Sequence, residues 1–322
     1  MSNSDRPLIV VPSDDPAQCL GSPRMAELEA VADLKIFPTR ADSFDEQIER
    51  ACGATVIINS RSYLEWREDA FNLLPDLRFI SVCGIGTDSI DLDAARDRGI
   101  TVSNIPGKTA PVVAEHAFGL MFAAAKRAAW YTEMTRKGEW VKEDGVFLGD
   151  KTIGIVGTGN IGAEMARLCN AFGMNVIAYT FNPSDERAEA LGVRFVDLDE
   201  LLASSDVITI HTKLTPDSEK LIGAREIALM KSTAILVNVA RGPIVDEAAL
   251  VEALNAGHLS GAALDVFEDE PLPEGSPITR CEQVVLTPHI ADMTPEGLDL
   301  LNQGVVENSL AFLNGTPQNV VN

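Results

Sequence analysis

Basic residues are scarce in this chain. Against 48 Asp and Glu it sets only 26 Lys and Arg, a formal charge of −22 over 322 residues. A field of that sign repels phosphate backbones and anionic membrane surfaces, which excludes a nucleic-acid partner. Long apolar runs are missing too, and nothing reaches the roughly 20 residues a membrane span needs. The N-terminal MSNSDRPLIVVPSDDP has neither the charged nor the apolar region of a secretory signal. A soluble cytoplasmic protein is expected. Cysteine is sparse: Cys19, Cys52, Cys83, Cys169 and Cys281 are odd in number, scattered, and never spaced Cys-x-x-Cys. They read as small buried thiols in a reducing compartment, and no metal site is expected. Repeats, low-complexity segments and obvious linkers are absent as well, so any domain boundary has to be argued from motifs.

What is present is enough apolar residue, 46% of the chain, to bury two cores. Short apolar runs alternate with helical patterns throughout, as a parallel sheet with crossover helices requires. The first series has runs at Pro7 to Pro12, Ala54 to Ser60, Leu77 to Gly84 and Ile100 to Asn104, with helical stretches around Met25 to Ala32 and Ser43 to Ala51. A second series starts at Thr152 and continues through Asn175 to Tyr179, Val193 to Val196, Asp206 to His211, Thr233 to Asn238, Gly261 to Val266 and Gln283 to Thr287. Between the two, Pro111 to Arg136 reads as one long helix, unusually apolar, suited equally to an interdomain position or to a subunit contact. After His289, Thr294 as N-cap and Pro295 at the first helical position begin a last helix that runs to about Gly315.

The segment KTIGIVGTGNIG, from Lys151 to Gly162, places Gly157, Gly159 and Gly162 directly after a strand run and ahead of a helical stripe of Ile161, Met165, Leu168, Cys169 and Phe172. Gly157 permits the tight turn, Gly159 lets a pyrophosphate approach the backbone, and Gly162 lets the helix pack on the strand. The phosphates then face a helix N-terminus. Candidate cofactor contacts are these glycines with Thr158, Asn160 and Ile161. Thr180 at the next strand end, His211 and Thr212, and Val239 and Ala240 join them. The second strand, NVIAYTFNPS, closes on Thr180, Phe181 and Asn182 where an acid would hydrogen-bond the adenosine ribose. No arginine lies beside Thr180; Arg187, the nearest, falls on a helix. Cofactor choice between NAD and NADP stays open.

Three chemically able side chains follow, each at the end of an apolar run: Arg241 in NVARGPIVDE, Glu270 in ALDVFEDEP and His289 in VVLTPHI. Alone, each has a bland reading: a turn arginine, one acid in a charge run, a structural histidine. Together they supply a planar cation for a carboxylate and its neighbouring carbonyl, and an imidazole with a carboxylate to orient and charge it. His116, His211 and His258 read as structural.

GTGNIG, NVARGPIVDEAALVEAL, GAALDVFEDEPLP and VVLTPHI, with CGIGTDSIDL and NIPGKTAPVVAEHAFGL, resemble the D-isomer-specific 2-hydroxyacid dehydrogenase family over nearly the whole chain. The resemblance implies two doubly wound parallel-sheet domains. A Rossmann nucleotide domain would span 104–290, and a smaller flavodoxin-like substrate lobe 1–103 and 291–322. It implies that Arg241 binds the substrate carboxylate and carbonyl, that His289 is the acid/base, and that Glu270 is its partner. Asp265 would hold the nicotinamide carboxamide. Cys83, Gly84, Ile85 and Gly86 would receive the substrate carboxylate on backbone N–H groups, and Arg61 would approach the substrate's distal group. It further implies a homodimer with the helix near Pro111 in its interface. The activity would be NAD(P)-linked interconversion of a small 2-oxo acid and its D-2-hydroxy acid, such as glyoxylate or hydroxypyruvate, with phosphoglycerate as another substrate. A non-catalytic NAD(H)-sensing corepressor is the alternative. Departures from the family pattern are Thr180 in place of an acid, Lys213 in HTKLTP, and Asp292 and Met293 in HIADMT.

Overall fold

The computed structural model describes residues 6–61 and 64–322. The chain forms two compact units, Met1–Thr109 with Met293–Asn322, and Ala110–Asp292.

The first unit is built on a wholly parallel five-stranded sheet of β1 (Leu8–Val11), β2 (Asp33–Ile36), β3 (Val56–Asn59), β4 (Phe79–Val82) and β5 (Thr101–Ser103), in the order β2-β1-β3-β4-β5. The central strands β3 and β4 are buried at every position, because helices cover both faces. β2 escaped the sequence reading for the opposite reason. As an edge strand its DLKI alternates exposed and half-buried residues, so it carries no apolar run. The C-terminal helix Pro295–Leu313 returns to this unit. The Thr294 hydroxyl caps it by accepting from Gly297 N at 3.0 Å, and Phe312 stacks on Phe79 with ring centroids 4.5 Å apart. That packing is why the unit is discontinuous in sequence.

The second unit holds a parallel seven-stranded sheet: β6 (Thr152–Val156), β7 (Asn175–Tyr179), β8 (Arg194–Phe195), β9 (Val207–Ile210), β10 (Ile235–Asn238), β11 (Gly261–Leu264) and β12 (Val284–Leu286). The order β12-β11-β10-β9-β6-β7-β8 winds outward in both directions from a switch point between β6 and β9. Ligands of open α/β sheets bind outside the carboxyl ends of the strands at that point.

The long helix expected over 111–136 is two helices, Ala110–Ala125 and Ala128–Arg136, separated by Arg127 in the left-handed region at φ +49°. No glycine or proline marks the break. It is made by the returning chain: Val146 N donates to the Ala125 carbonyl at 2.9 Å, and Lys126 Nζ donates to the Val146 carbonyl. The Arg127 guanidinium lies 4.0 Å from the Trp130 ring and pairs with Glu143. The first of the two helices buries Val113, Ala117, Leu120, Met121 and Ala124 in the core of its own unit.

Candidate active site

β6 ends in the glycine turn, and the three glycines do different work. At Gly157, φ is +95° and an added Cβ would stand 2.6 Å from Thr212 N, so the turn and the His211–Thr212 backbone are in contact. At Gly162 a Cβ would meet the Gly157 carbonyl at 2.0 Å, which fixes the close approach of the helix Asn160–Phe172 to the strand. Gly159 is different: nothing lies within 4 Å of where its Cβ would be. The space above it is open, and as the N-cap it makes no side-chain hydrogen bond. An open approach to uncapped amides suits a pyrophosphate, so the loop fits the dinucleotide it was expected to bind.

Thr158 is buried, 5% exposed. Its carbonyl and hydroxyl both accept from Arg187 Nη2, at 2.9 and 2.7 Å, while Arg187 Nη1 donates to the Asn182 carbonyl at 2.6 Å. Arg187 stands on a helix, as read from the sequence, and its side chain reaches back to the end of β7. Ser184 caps the helix Asp185–Leu191, accepting from Arg187 N. That places Arg187 in the first turn, where long side chains lean back toward the helix start. The Ser-x-x-Arg spacing after the strand was the available signal.

Across the switch point, His211 Nε2 shares a 2.9 Å hydrogen bond with Thr209 Oγ1, and burial pushes its pKa down to about 3. It is a neutral ring, not an acid/base group. Val239 and Ala240 form the turn after β10, held by Asn238: its side chain accepts from Ala240 N at 3.0 Å and donates to the Arg241 carbonyl at 2.9 Å. Asn238 was missed in the sequence, where it reads only as a strand end.

Arg241 opens the short helix Gly242–Ile244, and its guanidinium donates to the Ala240 carbonyl at 2.8 Å. Gly242 packs with no room to spare. A Cβ there would lie 1.9 Å from the carbonyl carbon and oxygen of Phe267. The peptide it touches leads into Glu270, whose Oε1 accepts from Phe267 N at 3.0 Å. The other oxygen, Oε2, is 2.6 Å from His289 Nδ1. Three strand ends distant in sequence are therefore tied together by backbone contact and one carboxylate.

Partial burial alone would lower the proton affinity of His289, whose side chain is 47% exposed. The Glu270 hydrogen bond and charge outweigh this, Asp265 adds to them, Arg241 opposes, and the pKa of His289 ends above its ordinary value. With Nδ1–H committed to Glu270, Nε2 is left to exchange a proton.

Asp265 is fully buried, and its role in this unit is visible. Its Oδ1 accepts from Thr287 Oγ1 at 2.6 Å and Ile290 N at 3.0 Å, with His116 Nε2 at 3.3 Å, and its Oδ2 accepts from Ala291 N at 3.0 Å. Its backbone carbonyl accepts from His289 N at 2.8 Å. Burial raises the proton affinity of this carboxyl, but the donors around it, His116 first, hold it below the usual range and keep it ionised. These bonds fix the turn in which His289 sits at φ +53°, a conformation that costs a non-glycine residue on the order of 1 kcal/mol or more.

In the first unit, Arg61 has φ +62° and donates from Nε to the Pro16 carbonyl at 3.2 Å; its Nη2 is buried without an acceptor among the described residues. Cys83, 9% exposed, follows β4, and its Sγ accepts from Gln18 Nε2. Gly84 and Ile85 are anchored through their carbonyls, by Ile105 N at 2.8 Å and Asn104 Nδ2 at 2.8 Å. The Cys83 amide donates to the Asn59 carbonyl at 3.0 Å, so the expectation that it receives a carboxylate is corrected and that role falls to the later amides of the turn.

Residues 118–291 match the family described as D-isomer specific 2-hydroxyacid dehydrogenase, NAD binding domain. The D-3-phosphoglycerate dehydrogenase of Archaeoglobus fulgidus is 42% identical over 83% of this chain, which spans only about half (51%) of that protein. The glycerate dehydrogenase of Methylorubrum extorquens is 39% identical over 86% of this chain and 88% of its own length. A glyoxylate reductase from Paecilomyes thermophila superposes with a TM-score of 0.89 at 31% identity, covering 99% of each chain. The chain therefore belongs to the D-isomer specific 2-hydroxyacid dehydrogenase family of NAD(P)-dependent oxidoreductases.

Proposed function

We propose that the protein reduces small 2-oxo acids of the glyoxylate or hydroxypyruvate type to D-2-hydroxy acids, with His289 as the acid/base. The observation that carries this reading is the 2.6 Å His289–Glu270 contact with the raised proton affinity it produces. A bound reduced nicotinamide supplies the hydride that the carbonyl carbon receives. His289 holds the matching proton at Nε2 and gives it to the carbonyl oxygen, so carbon and oxygen each gain one hydrogen. Glu270 fixes the ring and stabilises its charged form before transfer. Arg241 supplies the permanent cation for the substrate carboxylate and for charge developing on the oxygen. Asp265 acts through the turn it holds and is a positioning residue in this scheme. Arg61 and the Cys83–Gly86 turn are the proposed substrate-side contacts of the first unit, which serves as the substrate lobe; the second is the nucleotide lobe. The relatives' names support this substrate range, since glycerate, glyoxylate and phosphoglycerate all carry a carboxylate beside the reacting carbon.

The protein is further proposed to be a cytoplasmic homodimer. No helix among the described residues is long and apolar enough to cross a membrane. Trp140 (81% exposed) and Phe147 (68%), on the segment after the broken helix, offer apolar surface for a second copy.

Initial rates at 340 nm for a panel of 2-oxo acids, with NADH and with NADPH, test the activity. Turnover of at least one small 2-oxo acid is expected, and a flat trace across the panel would refute it. His289→Ala should lower kcat by about 10²–10⁴-fold while sparing nucleotide binding. Retention of most activity by that variant would remove the acid/base assignment.

A further inference from the structure

The end of β7 carries chemistry that the reaction does not use. Between Tyr179 and Ser184 there is no carboxylate to accept hydrogen bonds from an adenosine ribose diol. What the fold brings there is Arg187, set across the Thr158 and Asn182 carbonyls and the Thr158 hydroxyl. We infer that Arg187 makes this a site for the 2′-phosphate of NADP(H), so that the protein selects the phosphorylated cofactor; the inference rests on the dinucleotide reading of the glycine loop.

The guanidinium is held in place by the loop itself. Three of its five N–H groups are spent on Thr158 and Asn182: both from Nη2 and one from Nη1. Among the described residues the remaining Nη1 hydrogen and the Nε hydrogen have no acceptor. Among the described residues no carboxylate lies within 4.0 Å of this arginine, although the chain carries 48 acids and most of its other arginines are paired. Its positive charge is therefore not neutralised by an ion pair. Arg187 also lies 5.7 Å over the Phe195 ring, a contact that orients the plane without removing charge.

Position argues in the same direction. Thr158 stands between the first two glycines of the loop, and Asn182 two residues past the strand-end Thr180. In a Rossmann unit the adenosine ribose lies between these two points, where an acid selects NAD and an arginine accommodates a 2′-phosphate. Hydroxyls of Thr180 and Ser184 flank the same strand end. Asp185, Glu186 and Glu189 share the arginine's helix, and none of them reaches its guanidinium.

Fragments of the cofactor test this without turnover. Isothermal titration of the intact protein with 2′,5′-ADP and with 5′-ADP should show the 2′-phosphorylated fragment binding about 10- to 100-fold tighter at low salt, the range for charge-assisted hydrogen bonds. The margin should shrink as ionic strength rises. Arg187→Ala should erase the margin and leave 5′-ADP affinity within a few fold. Arg187→Lys, which keeps the charge and loses the fork, should retain part of it and covers the case in which the alanine variant misfolds. Equal or weaker binding of 2′,5′-ADP by the unmodified protein, or an unchanged margin in a folded Arg187→Ala, would overturn the inference. Failure to bind either fragment, or NADH and NADPH, would instead overturn the dinucleotide reading beneath it.

Discussion

Gly242→Ala is a one-methyl change that should cripple the enzyme without touching a charged group. Gly242 has no positive φ, so alanine meets no backbone penalty there and the effect is steric alone. The new Cβ would fall 1.9 Å from Phe267 C and O and 2.5 Å from Glu268 N. Ordinary contact begins near 3.4 Å, so the two backbones must separate by about 1.5 Å (3.4 − 1.9). Neither side is a flexible side chain that could swing away. One strand end carries Arg241 and the other leads through the Phe267 amide to Glu270 and so to His289. A misplacement of about 1 Å can cost 10²-fold in rate, and overpacking costs about 1–3 kcal/mol of stability. The expected outcome is a folded protein with a thermal midpoint lower by several degrees and kcat/KM for its 2-oxo acid down by about 10²-fold or more. Gly159→Ala is the control: its Cβ meets no protein atom within 4 Å, so the midpoint should stay put while nucleotide affinity falls. If Gly242→Ala kept more than half of the normal kcat/KM, the claim that this backbone contact sets the triad would be wrong.

Two further predictions concern the imidazole. In the reducing direction the protonated ring is the acid, so the rate falls as pH rises through its pKa. Glu270 raises that pKa, and Glu270→Gln should move the alkaline limb of the kcat profile to lower pH, with a lower plateau; an unmoved limb would separate Glu270 from His289. Asp265→Asn turns an acceptor into a donor facing the Ile290 or Ala291 amide, an unsatisfied contact worth about 1–3 kcal/mol. It should depress kcat more than KM and shift the same limb acidward, and an unchanged profile and midpoint would reduce Asp265 to a bystander.

Most strands were legible because a parallel sheet covered on both faces needs continuous apolar runs, and those of β3, β4, β9 and β10 stand out. The legible part of the site was its chemistry: residues at strand ends after apolar runs, and glycines spaced for a turn. β2 was illegible because an edge strand of four residues needs no apolar run, and the break at Arg127 because its cause lies twenty residues later, in the chain that returns to Ala125.

The sequence by itself determined the class of fold, the glycine loop and the identity of Arg241, Glu270 and His289, since local pattern and side-chain chemistry are properties of the chain. Only the tertiary structure decided that Gly242 presses on the Phe267 peptide, that Asp265 is buried under four donors, and that Arg187 faces Thr158. Each is a contact between segments far apart in sequence, where spacing carries no record of distance and packing alone sets which groups meet.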